Sequence, residues 1–244
     1  MFPVLKWRRQ IRYLEQVMTE FIRARSNEQK AQRLEEIKNV AKAQFATHPY
    51  HEITLTTIAS DLGWSRANLY KYVTTKEEIF LALVSDSYNA YIDALMAALP
   101  RECGFTTEII AEIWAGIANA HRDYFQYGNI LYTIIETNVS VDRLAEFKRN
   151  FYDGTIRLFD QIEPLLGIKK EYLEQMFIVI YHQGVGLAGN CLNNPLVQQA
   201  LSKINIERKP IDFKAEMREI ILMTLSWYQK KQAPKTLLSP PQQY

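Results

Sequence analysis

Residues 54–76 read TLTTIASDLGWSRANLYKYVTTK, and this stretch decides the fold. Thr54 is placed to cap a helix, because its hydroxyl can accept a hydrogen bond from an orphan amide of the first turn. Leu55, Ile58, Ala59 and Leu62 follow at helical spacing and form one apolar stripe. Gly63 stands where a helix closes on a left-handed residue, a conformation glycine adopts without a Cβ penalty. Ser65 can cap a second helix, Arg66 to Tyr72. Leu69 and Val73 would face inward, Arg66, Ala67, Asn68 and Lys71 outward, and Tyr70 and Tyr72 would lie at the flanks. Two short helices joined by a Gly-containing turn, the second basic and polar, are the sequence form of a helix-turn-helix whose second helix enters the DNA major groove.

Reading backwards, Ser26 or Asn27 would cap a helix running to about Ala46, with Leu34, Ile37, Ala41 and Phe45 on its buried face. These three helices make a compact head, with domain boundaries at 27–75. The loop Thr47–His51 carries His48, Pro49 and His51. No cysteine or carboxylate pattern joins the two histidines, so a solvated loop is expected rather than a metal site. Residues 1–26 are locally basic, with Lys6, Arg8, Arg9, Arg12, Arg23 and Arg25 against Glu15 and Glu20. They admit three readings: an amphipathic helix packed on its own domain or a neighbour, a basic arm on phosphate, or, for residues 1–17, sequence upstream of a start at Met18.

Reading forwards, Lys76 to Leu99 is a long helix stopped by Pro100. A helix from Thr106 or Thr107 should run to Tyr127 and end at Gly128, with a short one from Asn129 to about Asn138. Ser140 and Gly167 bracket Val141 to Leu166. Lys170 to Leu192 and Asp212 to Gln232 are two further strong helices. Asn193-Asn194-Pro195 breaks the chain, and Pro195 to Lys203 is a short helix between them. The tail 233–244 is rich in Pro and Gln and should fray. No strand-type alternation and no internal repeat stands out, so the fold class is all-α, with residues 76–232 forming a larger helical domain.

The 244 residues carry a net charge of +2 and are 48% hydrophobic, which allows a sizeable core and leaves any nucleic-acid face local. Cys103 and Cys191 are far apart and form no metal or redox pair; buried thiols in a reducing cytosol are the simplest account. No apolar run reaches the roughly eighteen residues of a membrane span, and the opening MFPVLKWRRQ has the wrong charge order for a signal peptide.

The head resembles the TetR-type transcriptional repressors. The resemblance rests on Ile58-Ala59, Gly63, Ser65, Leu69-Tyr70-Lys71-Tyr72-Val73 and Lys76-Glu77-Glu78-Ile79. Val73 stands where Phe is common and Ile79 where Leu is common. The strong part covers Arg33 to Val84; beyond it only helical character and length agree. The resemblance implies a cytoplasmic homodimer on double-stranded DNA with a palindromic operator, acting as a repressor and controlled by a small-molecule effector held in the larger domain. It implies no catalysis, cofactor, metal or membrane. A dimer surface is expected from Lys170–Leu192 and Asp212–Gln232.

Within that frame, Arg66 can bond guanine, Asn68 adenine, and Ala67 can touch a thymine methyl. Thr54, Ser65, Tyr70, Tyr72 and Lys76 are expected on phosphate, with Lys71 beside them. The central segments carry Trp114, His121, Tyr124, Phe125, Tyr132, Phe151, Tyr152 and His182. Residue by residue these fit ordinary core packing; that some line an effector pocket, largely apolar with one or two polar groups, is what the resemblance implies.

Gly184, Gly186 and Gly189 fit GxGxxG, but no βαβ pattern surrounds them and Pro195 follows closely. A helix thinned for close backbone approach is expected instead, at the dimer interface. Asn138-Val139-Ser140 fits a glycosylation sequon, although Ser140 is better explained as a cap. The chain has no nucleophile elbow, Walker loop, zinc-protease motif or di-iron Glu-x-x-His pair. A helical enzyme or cofactor carrier would need convergent titratable residues between 105 and 190. A DNA-binding protein without a ligand would need none.

Overall fold

The computed structural model describes residues 28–102, 104–190, 195–207 and 209–232. The N-terminal extension, Cys103, Cys191 and the Pro-rich tail lie outside them. Among the described residues there is no strand, and ten α-helices follow one another. They are α1 (28–47), α2 (Leu55–Asp61), α3 (Arg66–Leu69), α4 (Lys76–Ala98), α5 (Thr107–Ala120), α6 (Arg122–Ile130), α7 (Val141–Leu166), α8 (Lys170–Asn190), α9 (Pro195–Lys203) and α10 (Phe213–Gln232). The chain divides into two compact units between Leu83 and Val84. The division falls inside α4 rather than before Lys76, because the first turns of α4 pack into the head: Phe80 meets the rings of Phe45 and Tyr50 edge-on at 5.4 and 4.9 Å.

In the first unit, α1, α2, α3 and the start of α4 enclose Ile37, Ala41, Ile53, Ile58, Ala59, Leu69, Ile79 and Phe80. The helix ends follow from local chemistry. The Thr54 hydroxyl accepts from the Thr57 amide at 3.1 Å, and the Thr57 hydroxyl accepts from the Thr54 amide at 3.0 Å. This reciprocal pair is a capping box with threonine at both positions. At the other end of α2, Gly63 takes φ +66°. The Trp64 amide then reaches back to the Ala59 carbonyl at 2.8 Å, and Gly63 to Ser60 at 3.0 Å. That arrangement satisfies the last carbonyls of the helix. Ser65 caps α3 by accepting from the Asn68 amide at 3.2 Å. The helical part of α3 is shorter than expected, ending at Leu69 and passing through turns to Val73.

In the second unit, α5 and α10 pack along each other, while α8 lies against α6, α7 and α10. The core is aromatic: Tyr88, Tyr91, Trp114, Tyr124, Phe125 and Phe213 are all but inaccessible. Several polar atoms inside it are paired. The Trp114 indole donates to the Tyr91 hydroxyl at 2.6 Å, and the Tyr88 hydroxyl donates to the Phe151 carbonyl at 2.6 Å. Gln161 of α7 donates to the carbonyls of Met96 and Leu99 at 2.6 and 2.8 Å, closing the end of α4.

The segment from Thr107 to Asn138 departs from its sequence reading. The break falls at His121, which has φ −109° and ψ 39°, and Gly128 lies inside α6. Gly128 is needed for space rather than for a turn. A Cβ there would stand 2.4 Å from Val185 and 2.7 Å from the Tyr181 hydroxyl. After α6 the chain widens into a π-helical turn, Leu131–Ile135. Val141 to Leu166 is bounded as read, with Ser140 accepting from the Arg143 amide at 3.4 Å and Gly167 at φ +59°.

Candidate nucleic-acid interface and ligand cavity

The head presents α3 on its surface. Arg66, Ala67, Tyr70 and Lys71 are exposed, and Asn68 and Tyr72 are half-buried. The side chains of Arg66 and Lys71 form no hydrogen bond or ion pair among the described residues, so both cations remain free for a polyanion. Leu69 and Val73, on the opposite side, are buried and fix the rotation of the helix. Trp64, half-buried, braces the turn: its ring lies 5.7 Å from that of Tyr72, and the Arg33 guanidinium stands 5.3 Å above it. Thr54 and Ser65 are exposed, and each uses an oxygen lone pair on its cap, leaving the O–H to donate outward.

A polar chain not foreseen from the sequence ties α1 to α2. The Thr57 hydroxyl donates to Gln44 Oε1 at 2.9 Å, and Gln44 Nε2 donates to Asp61 at 2.7 Å. Gln44 is buried, so its amide must find partners. No spacing rule marks it, since its partners lie 13 and 17 residues away.

Lys76, expected on phosphate, is bonded within the head. Its ammonium donates to the carbonyls of Tyr50 and Ile53 at 2.9 and 2.8 Å and stands 4.0 Å from the centre of the Tyr50 ring. Two of its three protons are therefore committed within the head. Burial holds the ammonium below its ordinary lysine value, with neighbouring Glu77 acting the other way. The Tyr50 hydroxyl donates to Glu77 at 2.9 Å, and burial first, then that hydrogen bond, raises its pKa far above the usual phenol value.

The second unit holds a cavity of about 700 Å³ walled by α6, the π turn, α7 and α8. That is the size of a typical small-molecule site. Of the eight residues expected at a pocket, Tyr124, Tyr132, Phe151, Tyr152 and His182 line it. Trp114, His121 and Phe125 do not. Trp114 is fully buried and bonded to Tyr91. His121 sits at the α5–α6 break with its ring 6.3 Å from Tyr91. Phe125 is wedged against the backbone of Gly184, where a Cβ would come within 2.5 Å of its ring. The sequence reading missed Lys148, Thr155, Ile156, Phe177 and Tyr181 on the walls, which Phe147 and Phe159 also line. Phe147, Phe151 and Thr155 recur at four-residue spacing on α7, a signal that marks a shared face but not what it faces.

The two lysines of the cavity wall are matched by acids of the same chain, and Glu174 also lines it. Lys148 pairs with Glu136 at 2.6 Å, and Lys170 pairs with Asp160. Burial, together with the nearby Glu136, lifts the Tyr132 phenol above its usual value. Among the described residues no group of three or more His, Cys, Asp or Glu could hold a metal ion, and no helix is long and apolar enough to cross a membrane.

The three glycines of α8 separate. Gly184 is buried against Phe125 and Met217, and Gly189 approaches Asn129, all within the same chain. Within the chain, the close approach these two permit is that of α6, and at Gly184 of α10 as well. A Cβ at Gly186 would meet nothing within 4 Å, and this residue is exposed.

Comparison with known families agrees with this two-part geometry. Residues 37–83 match the model of bacterial regulatory proteins of the tetR family, and residues 85–231 that of the tetracyclin repressor-like C-terminal domain. Among solved structures, the chain is similar to one from Mesorhizobium loti MAFF303099 described as a TetR-family transcriptional regulator. The identity is 17% and the TM-score 0.50, over 83% of this chain and 97% of that one. A TetR-family structure from Shewanella sp. PV-4 is 15% identical with a TM-score of 0.49, over 81% and 96% of the two chains. AmtR of Mycobacterium smegmatis is 20% identical with a TM-score of 0.45, over 79% and 85%. A search of curated proteins returned no match. At these identities the structural likeness speaks to the fold alone.

Proposed function

We propose that this chain, which belongs to the TetR family of bacterial regulatory proteins, works as a homodimeric repressor that binds a palindromic operator and is released by a small, largely apolar ligand. The observation that carries the reading is the pairing of two features in separate units. One is a rigidly capped, exposed α3 bearing the unpaired cations Arg66 and Lys71. The other is a ligand-sized aromatic cavity. Arg66, Ala67 and Asn68 read bases, while Thr54, Ser65, Tyr70, Lys71 and Tyr72 hold phosphates.

Dimerisation follows from the size of the reading element. One short helix contacts only a few base pairs, so specificity calls for two half-sites related by a two-fold axis. The surface for it is the outer face of α8 and α10. Val179 is 39% exposed, Met223 63% and Trp227 54%, and Gly186 lies one heptad beyond Val179. Exposed apolar side chains gathered on two adjacent helices suit burial against a second copy. The protein acts in the cytoplasm, where its DNA is.

The reading is tested by selecting bound DNA from a random pool with the full chain. A palindromic consensus whose half-sites are one helical turn apart is the expected result. Recovery of single half-sites would remove the dimer, and recovery of no preferred sequence would remove the regulator.

A further inference from the structure

The cavity of the second unit is a trough whose ends differ from its middle. Helices α7 and α8 form its long sides and run in opposite directions. Lys170, which opens α8, pairs with Asp160 late in α7. At the other end Tyr132 stands between the two helices: the Lys148 ammonium of α7 is 5.9 Å from its ring centre, and the His182 ring of α8 is 6.1 Å away. The lining runs from Phe147 to Phe159 on α7 and from Lys170 to His182 on α8. At the α-helical rise each side is about 18 Å long. Spread over that length, a volume of about 700 Å³ leaves a mean cross-section of about 40 Å². A slot of that width admits an extended chain or a single row of rings and turns away a compact molecule of equal volume.

Polarity follows position along the trough. The charged residues of the lining and its histidine stand at the ends, Lys148 and His182 at one, Lys170 and Glu174 at the other. Between them the sides are Phe151, Ile156, Phe177 and Ile178, with Tyr152 and Thr155. The Thr155 hydroxyl is already bonded to that of Tyr88 at 2.8 Å. Tyr152, 56% exposed, belongs to the open rim. A polar group pressed against this middle loses water without gaining a partner, whereas at either end it meets ionic side chains. Both ends carry both signs of charge, so length and the position of the polar group select more strongly than net charge.

We propose that the trough takes an elongated molecule with an apolar body about 18 Å long and a polar or charged group at an end, as in a straight chain of about twelve carbons. The proposal rests on the reading of this cavity as the effector site and names the shape and polarity pattern of that effector.

The test is equilibrium dialysis of the full-length protein against three alcohols of equal carbon number. In 1-dodecanol the hydroxyl is terminal, in 6-dodecanol it is central, and cyclododecanol is compact. Saturable binding of 1-dodecanol should be about tenfold tighter than that of 6-dodecanol, whose hydroxyl is stranded in the apolar middle, and at least as far ahead of cyclododecanol. Straight-chain alcohols from 1-hexanol upward should gain about two- to fourfold per methylene and level off when the chain fills the trough, at about twelve to fourteen carbons. Ile156 and Ile178 are 49% and 42% exposed, so an aspartate at either stays hydrated without straining the core. Ile156→Asp and Ile178→Asp should each melt with the parent and bind 1-dodecanol about tenfold more weakly; two variants guard against one that does not fold. Equal affinities for the three alcohols, tightest binding of the central or cyclic one, a plateau below ten carbons or none by eighteen, no saturable binding of 1-dodecanol, or folded variants that bind as the parent does would each overturn the proposal. Operator binding is measured separately. Selective uptake of 1-dodecanol that leaves DNA affinity unaltered would keep the shape and overturn the effector reading. Release of DNA by cyclododecanol as readily as by 1-dodecanol would do the reverse.

Discussion

The Lys76 ammonium and the Tyr50 backbone meet at 2.9 Å, with the same charge 4.0 Å from the centre of the Tyr50 ring. The first residue of α4 thereby straps down the loop that leads into α2, and the Ile53 carbonyl, at 2.8 Å, is held by the same group. Replacing Lys76 with Met removes the donor from two carbonyls and keeps most of the stem. The head should lose about 1–3 kcal/mol, the cost of leaving such groups unpaired. The slope of log affinity against log salt for DNA should stay close to that of the parent, since a lysine spent internally releases few counterions. Denaturation of the variant alongside salt titrations of operator binding reads both quantities. A slope reduced by about one unit would return Lys76 to phosphate.

Arg66 opens α3 and is exposed without a partner. Arg66→Ala should cost about 1–3 kcal/mol at one base position and relax preference there. Competition binding across a set of single-base operator variants makes the distinction. Uniform weakening on every sequence would assign Arg66 to the backbone of the DNA.

Trp114 belongs to the core and not to the cavity. Trp114→Phe deletes the bond to Tyr91, a residue 1% exposed, and strands a buried hydroxyl. A loss of about 1–3 kcal/mol in chemical denaturation is expected, with the affinity of a ligand bound in the cavity unaltered. A large change in affinity at unchanged stability would place Trp114 in contact with ligand.

Two glycines two residues apart on α8 should behave in opposite ways. A Cβ at Gly184 would meet Phe125 at 2.5 Å, so Gly184→Ala overpacks the protomer and should cost about 1–3 kcal/mol or more. A side chain at Gly186 meets nothing. Gly186→Leu should therefore leave protomer folding nearly intact while shifting sedimentation towards monomer and weakening palindrome binding in parallel. A Gly186→Leu variant that stays fully dimeric would move the interface elsewhere.

The buried tyrosines set an alkaline limit. Burial pushes Tyr88 up to about 12, partly offset by its hydrogen bond to Thr155, and carries Tyr91, Tyr124 and Tyr127 higher still. An unfolded chain begins to release phenolic protons near pH 10. Between that pH and the folded values the native state binds more protons, so stability falls as pH rises. The contribution of these groups is fully present below about pH 10 and is lost as pH climbs through about 12 for Tyr88. Denaturation midpoints should be level with respect to these groups below that window and drop steeply within it, with tyrosinate absorbance appearing at the same pH as unfolding. Tyrosinate signal well before unfolding would show these phenols to be accessible.

The sequence by itself determined what lies within about five residues of its own cause. Thr54, Ser65, Thr106 and Ser140 cap helices, Gly63 and Gly167 end them, and the apolar stripe of residues 55–62 orients α2. Caps and turns are local hydrogen bonds, so their residues can be read in order, and the exposed face of α3 follows from the inward pair Leu69 and Val73. Tertiary structure decided everything that depends on which helix lies opposite. Periodicity marks a buried face but not its neighbour, so Trp114 and Tyr132 looked equivalent until one was found in the core and the other on a cavity wall. Gly128 resembled a helix stop, yet it is the space that a tyrosine from α8 requires. Lys76 carried a charge suited to phosphate, and the carbonyls that claim it lie 23 and 26 residues earlier in the chain. Such pairings are fixed by packing in three dimensions, where residues far apart in the chain compete for one volume and for one another's hydrogen bonds.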